Sequence, residues 1–330
     1  MPRKLSLVAV IALLFVGVVS AQSSRHFTFH YAFTVKNVPA GQEVRVWFPA
    51  AHSDTFQEVR VLSATGGLKV RKTRESKFGN EIYYAEASKA HGGDLHFSVD
   101  YDVVRHERLT LGLQRPHLED VTLSSKERQE DLAPNRLVPI TGLPAELASK
   151  TVAGESSTLD KARAIYNYVF DNMRYEKTGT GWGRGDVLYA CNAKKGNCTD
   201  FHSLFIAMAR SQKIPAKFEI GFAIPADKHS AEIPGYHCWA EFFDAQIGWV
   251  PVDISEAWQN PVKKNYFFGA HDDDRIQFTV GRDLELNPRQ KGEPLNYFVY
   301  PYVEVGGSAY PNVSNEFSFA DAGSASASLH

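Results

Sequence analysis

The sequence predicts an α+β protein: an N-terminal antiparallel β-sandwich, then a connecting segment, then a domain of helices packed on an antiparallel sheet. Two observations carry this. From Phe27 to about Val104 apolar residues alternate with polar ones, the period of a half-buried strand. Beyond residue 150 the period becomes helical and then returns to that of strands, so helices and strands follow one another in blocks. The composition is that of a folded chain of about two domains: 330 residues, 43% hydrophobic and 22% charged. A net charge of −2 gives no electrostatic footprint for nucleic acid. Three cysteines are too few for a disulfide scaffold.

Residues 1–21 read as a secretory signal. Arg3 and Lys4 precede the apolar run Leu7–Val19, which ends in Val19-Ser20-Ala21, so cleavage is expected after Ala21. The run is too short to make a stable transmembrane helix, and no later segment reaches 18 apolar residues. The mature chain is therefore expected to be exported, to a periplasm or to the outside, without inserting into a membrane. No cysteine stands near the cleavage site to carry a lipid anchor.

Residues 22–105 form the expected sandwich. Phe27, Phe29, Tyr31, Phe33 and Val35 alternate with polar or small residues, as do Val44, Val46 and Phe48, and then Leu95, Phe97, Val99, Tyr101 and Val103. Turn signals at Pro39-Ala40-Gly41, Gly66-Gly67, Gly79-Asn80 and Gly92-Gly93-Asp94 separate these runs. No residue pattern here has catalytic spacing, and the reading is a packing or docking module. Residues 106–150 read as a connector, charge-rich from Ser124 to Asp131 and interrupted by Pro134, Pro139 and Pro144.

Residues 151–305 form the expected second domain. Ser156 or Ser157 caps a helix carrying Ala162, Ile165, Val169 and Met173 on one face. A second helix starts near Cys198, shows Phe201, Leu204, Phe205 and Met208, and stops before Ile214-Pro215. Strands follow at 217–222, 237–243, 249–254 and 276–280, and 294–302 is expected to close the sheet. Residues 306–330 read as a tail, disordered in its small polar end Ala320–His330.

The chemistry lies in three short blocks. Cys198, in Gly196-Asn197-Cys198-Thr199-Asp200-Phe201-His202, falls in the predicted first turn of a helix, where the helix terminus favours a thiolate. Free backbone N–H groups of that turn can hold an oxyanion. His237, in Gly235-Tyr236-His237-Cys238-Trp239-Ala240-Glu241, lies on a predicted central strand and can take the thiol proton. Asp253, in Trp249-Val250-Pro251-Val252-Asp253, can orient that imidazole from the next strand. Taken singly, each has a commoner structural explanation: a buried thiol, a core histidine, a strand-end carboxylate. Their order, 39 and then 16 residues apart, makes the set stronger than its members.

These blocks resemble those of the bacterial transglutaminase-like superfamily: 196–205 with Ile214-Pro215-Ala216 its nucleophile block, 236–241 its histidine strand, 249–253 its aspartate strand. The likeness runs from about Leu159 to Tyr302. It implies a papain-like core with Cys198 as nucleophile, His237 as base and Asp253 as its orienter. It also implies a protein or peptide substrate, acyl transfer through a thioester, and no cofactor. Trp182, in Gly181-Trp182-Gly183, is a candidate oxyanion donor or cleft residue by analogy with animal members, although it stands much nearer the cysteine here. Two other readings stay open: a cysteine peptidase or amidase acting on envelope peptides, and a silent scaffold that only binds them.

Three further patterns are weaker. Cys198, His202, His237 and Cys238 suggest zinc, but adjacent strand residues point to opposite faces, so His237 and Cys238 cannot both serve one ion on a regular strand. Cys191 and Cys238 are the only pair left for a disulfide if Cys198 stays free, and Cys238 reads more simply as a thiol buried on a central strand. The run His271-Asp272-Asp273-Asp274-Arg275 offers oxygen ligands for calcium, and reads more simply as a solvated turn.

Overall fold

The computed structural model describes residues 22–111 and 121–323. The expected signal segment 1–21 and the last residues of the tail lie outside the described residues. The N-terminal part is all strand: β1 (Ser24–Val38), β2 (Val44–Pro49), β3 (Gln57–Gly66), β4 (Val70–Arg74), β5 (Glu81–Ala87), β6 (Gly93–His106) and the short β7 (Arg108–Leu109). Next come α1 (Ser125–Leu132), α2 (Leu143–Thr151), α3 (Thr158–Asn172), β8 (Arg174–Tyr175), α4 (Val187–Ala193), β9 (Lys195–Gly196) and α5 (Cys198–Ser211). The chain continues through β10 (Ala216–Ala223), β11 (Ser230–Glu232), β12 (His237–Asp244), β13 (Gly248–Val252), α6 (Ile254–Gln259), β14 (Ala270–His271) and β15 (Arg275–Val280). It ends with β16 (Tyr302–Val305), β17 (Ser308–Ala309) and β18 (Val313–Asp321).

Two five-stranded sheets face each other, ordered β11-β18-β1-β6-β3 and β17-β16-β2-β5-β4. The alternation read in β1 is the reason: Phe27, Phe29, Tyr31, Phe33 and Val35 all turn inward and are buried. Phe33 meets Phe48 across the gap and Phe97 from β6, with ring centroids 5.1 and 4.9 Å apart. The sandwich is not complete within 22–105. β18 pairs with β1 from Phe27↔Asp321 to Val35↔Val313, and β16 pairs with β2. The expected tail is therefore sheet as far as Asp321. Its signal was faint because Phe317 and Phe319 are the only large apolar residues on the strand, and they suffice to bury one face against Tyr31 and Phe222.

The four-stranded sheet β13-β12-β10-β15 carries the second half of the fold, antiparallel throughout. Phe222 and Phe278 from this sheet stack against Phe29 and Tyr31, so both halves share one core. Segment 294–302 is not the closing strand. Apart from one bridge between Leu284 and Leu295 it is irregular, and strand structure begins only at Tyr302. Its aromatics pack, as expected: Phe298 and Val299 are buried and Tyr297 and Tyr300 ring Tyr236. The connector also holds more structure than its composition suggested. Ser124 and Glu127 form a capping box that starts α1, and Pro144 sits in the first turn of α2, where a missing N–H costs nothing. Among the described residues no helix is long and apolar enough to cross a membrane.

Candidate active site

Helix α5 runs through the middle of the second half and is buried from Cys198 to Arg210. Its N-terminus is fixed by reciprocal caps. The Asn197 side chain accepts from the Thr199 N–H at 3.0 Å, and Asp200 accepts from the Asn197 N–H at 3.0 Å. Asp200 also receives the N–H groups of Gly183 and Gly185, at 2.7 and 3.0 Å, which ties the loop before α4 to the same turn. Arg282 holds that loop from below through the carbonyls of Gly185 and Arg184. Gly196 is required by this arrangement, because a Cβ there would lie 2.1 Å from Asp200 Oδ2. Gly196→Ala is expected to cost about 2–3 kcal/mol, measured as a lower urea midpoint, since Asp200 has no room to withdraw.

The structure brings Cys198, His237 and Asp253 together, with exposures of 1%, 6% and 0%. Cys198 is the first residue of α5 and His237 the first of β12, while Asp253 caps α6 directly after β13. His237 Nε2 donates to Asp253 Oδ2 at 2.7 Å, and the imidazole also bonds to the Cys198 thiol. With Nε2 on the carboxylate, Nδ1 is the nitrogen left for the thiol. Burial by itself would push the Cys198 thiol up. Hydrogen bonds from Cys238 and His237 and the charge of His237 outweigh it and hold the thiol well below its ordinary range. Burial would likewise push His237 down, but the charge and hydrogen bond of Asp253 hold it well above. Both directions favour the negative charge on Cys198 and the proton on His237.

Asp253 is held from several sides. Arg275 Nη1 donates to Oδ2 at 3.0 Å, and the Glu256 N–H and Ser255 hydroxyl donate to Oδ1 at 3.1 and 3.2 Å. Burial opposes the anion, and His237 and Arg275 keep it well below the usual carboxylate range. The Ile254 N–H donates to His202 Nε2 at 3.0 Å, which makes that ring an acceptor. Burial pushes His202 down to about 4, so it stands as a neutral prop between α5 and α6.

Neither Arg275 nor His202 was assigned these roles from sequence. Arg275 closes the acidic run at 271–275, whose carboxylates serve arginines: Asp272 binds Arg275 at 2.8 Å and Asp274 binds Arg25 at 2.6 Å. Among the described residues no group of three or more His, Cys, Asp or Glu side chains is arranged to hold a metal ion.

Two expectations need correction. Trp182 was a candidate oxyanion donor, but its indole N–H donates to the carbonyl of Gly179 at 3.1 Å, within its own turn. The strand-alternation argument also fails at one point. His237 and Cys238 both reach α5, because His237 opens β12, where pairing to β10 ends and alternation is no longer imposed. The Cys238 sulfur lies 3.8 Å from both Thr199 Oγ1 and His202 Nδ1. All three cysteines are free thiols, so Cys191 and Cys238 are not bridged.

Residues 145–254 match the family model of the transglutaminase-like superfamily. The chain is 29% identical over 316 residues to an uncharacterized protein of Haemophilus influenzae, covering 85% of each chain. It is 24% identical over 184 residues to the uncharacterized protein YebA of Bacillus subtilis, covering 51% of this chain and 24% of that one. Among solved structures, a candidate cysteine protease from Cytophaga hutchinsonii superposes with a TM-score of 0.59 at 18% identity. That match covers 91% of this chain and 99% of the other, and it is a likeness of fold. The chain carries a transglutaminase-like domain, with the α+β architecture of that superfamily.

Proposed function

We propose that this transglutaminase-like chain is an exported thiol enzyme that transfers acyl groups from amide or peptide substrates. The observation that carries the reading is the 2.7 Å bond from His237 to Asp253 with Cys198 on the other side of the same imidazole. Members of the superfamily are typically cysteine enzymes. Export rests on the signal-like residues 1–21.

In the proposed reaction the Cys198 thiolate attacks the amide carbonyl, and the carbon–sulfur bond forms as the carbonyl π electrons move to oxygen. The Cys198 N–H makes no hydrogen bond among the described residues and stands at the start of α5, so it is the donor offered to that oxyanion. Collapse breaks the carbon–nitrogen bond, and the leaving amine takes its proton from His237. An amine or water then attacks the thioester carbonyl and gives its proton to His237, and the carbon–sulfur bond breaks to release the acyl product and restore the thiolate. With water as acceptor the same site is a peptidase or amidase.

The test is the pH profile of Cys198 alkylation by iodoacetamide, followed by intact mass with Cys198→Ala as the blank. An ordinary thiol loses about 100-fold in rate between pH 8 and pH 6, because its thiolate disappears. A thiol held low by an imidazolium is expected to keep its rate over that range. A single ordinary titration step would overturn the reading.

A further inference from the structure

Cys198 opens α5 and His237 opens β12, so no shared strand or helix sets the distance between them. The sheet holds this end of β12 on one side only. Pairing with β10 reaches Gly221↔His237, whereas pairing with β13 begins further along, at Ala240↔Val252. Two hydroxyls span the gap to α5. The Tyr236 hydroxyl shares a 2.7 Å hydrogen bond with Thr199 Oγ1 and accepts from the Asn197 amide at 3.0 Å. Thr199 Oγ1 also lies 3.8 Å from the Cys238 sulfur. Tyr236 thus binds the residues on either side of Cys198, while Thr199 touches the residues on either side of His237. Thr199 is wholly buried. Tyr236 is half-buried, with its N–H on the Tyr300 hydroxyl at 3.2 Å and its ring centroid 5.4 Å from that of Tyr297. Buried hydroxyls are ordinarily bonded. What sets this pair apart is that each member brackets a reacting residue.

We propose that Thr199 and Tyr236 are positioning residues whose shared hydrogen bond fixes the distance between the Cys198 sulfur and the His237 imidazole. This rests on the reading of Cys198 and His237 given above. Neither hydroxyl takes a proton or touches the reacting atoms in that reaction. The bond joins α5 to the start of β12 one residue from each reacting group, so a change in its length passes to the contact between sulfur and imidazole. That contact tolerates little change, since a misplacement of about 1 Å costs about 100-fold in a positioned reaction. The attraction between the two charges also weakens with distance, and it matters most where water is excluded. Without the bond, the thiolate therefore loses part of the support that offsets its burial.

The test follows Cys198 alkylation by iodoacetamide from pH 3 to 9, by site-resolved mass, and takes the pH of half-maximal rate. His237, Cys238, His202, Asp200, Tyr175 and Tyr297 act electrostatically on the thiol or are acted on by it. Thr199→Val removes none of them, so a displaced midpoint reports position. In Thr199→Val the midpoint is expected to rise by about one pH unit, a tenfold loss of thiolate at a fixed pH below it. Thr199→Ser, which keeps the hydroxyl, is expected to stay with the unaltered chain. Tyr236→Phe breaks the same bond from the other side and is expected to match Thr199→Val, and the double variant to exceed neither. If Thr199→Val fails to fold, Tyr236→Phe carries the test. A lower urea midpoint in Thr199→Val with an unmoved pH midpoint overturns the proposal, because the hydroxyl then only satisfies a buried group. A serine variant as displaced as the valine one overturns it too, as do additive shifts in the double variant. The unaltered chain separates the two claims. An ordinary thiol midpoint there removes the catalytic reading and this proposal with it, whereas a low midpoint that no variant moves removes this proposal alone.

Discussion

Replacing His237 by alanine will slow alkylation of Cys198 at pH 6 to 7 by about 100-fold and reduce acyl transfer by roughly 10⁴-fold or more. The size follows from what opposes the thiolate. Cys198 is 1% exposed, and burial alone would push its thiol up. The hydrogen bond and charge of His237 are main parts of what reverses that push, and alanine removes both. The loss in turnover is larger than the loss in labelling, because His237 must also protonate the leaving nitrogen. Unchanged labelling in the variant would mean that Cys238, the helix terminus and the remaining groups ionise Cys198 without the imidazole. The proposed proton path would then be wrong.

Much of this site was legible because its signals are local. Cys198 stands where a cap and a hydrophobic stripe announce a helix, and His237 and Asp253 flank strands whose apolar runs are plain in sequence. Helix α3 begins after Ser157, as its capping residue announced. What could not be read depends on partners far along the chain. Arg275 binds a carboxylate 22 residues earlier, inside a run that looked like a solvated turn, and no local periodicity marks a buried arginine. His202 lay on the apolar side of α5 and gave no sign that its ring accepts from the Ile254 N–H. The closure of the sandwich by β18 joins residues almost 300 apart, a pairing fixed by the whole fold and not by the nine residues of the strand. Trp182 shows the opposite failure: analogy gave it a role, and a local carbonyl had taken its N–H.

Asp253→Asn is expected to be the most damaging conservative change, and it separates catalysis from stability. The amide keeps the shape but carries no charge, so it stabilises neither the His237 imidazolium nor the tautomer that turns Nδ1 to Cys198. Turnover should fall by about 10⁴-fold. Stability should fall as well, by about 3 kcal/mol, because Arg275 remains 2% exposed with only Asp272 to balance it. The second effect can be reversed without the first. If the cost comes from an unmatched buried guanidinium, Asp253→Asn combined with Arg275→Met should regain part of the lost stability in urea unfolding. Activity should stay absent, since nothing has restored the anion behind His237. A double variant less stable than Asp253→Asn alone would show that Arg275 contributes through Trp239, whose ring centroid lies 4.9 Å from its guanidinium, more than through its ion pair. Asp253 would then hold the imidazole while Arg275 chiefly packs the wall behind it.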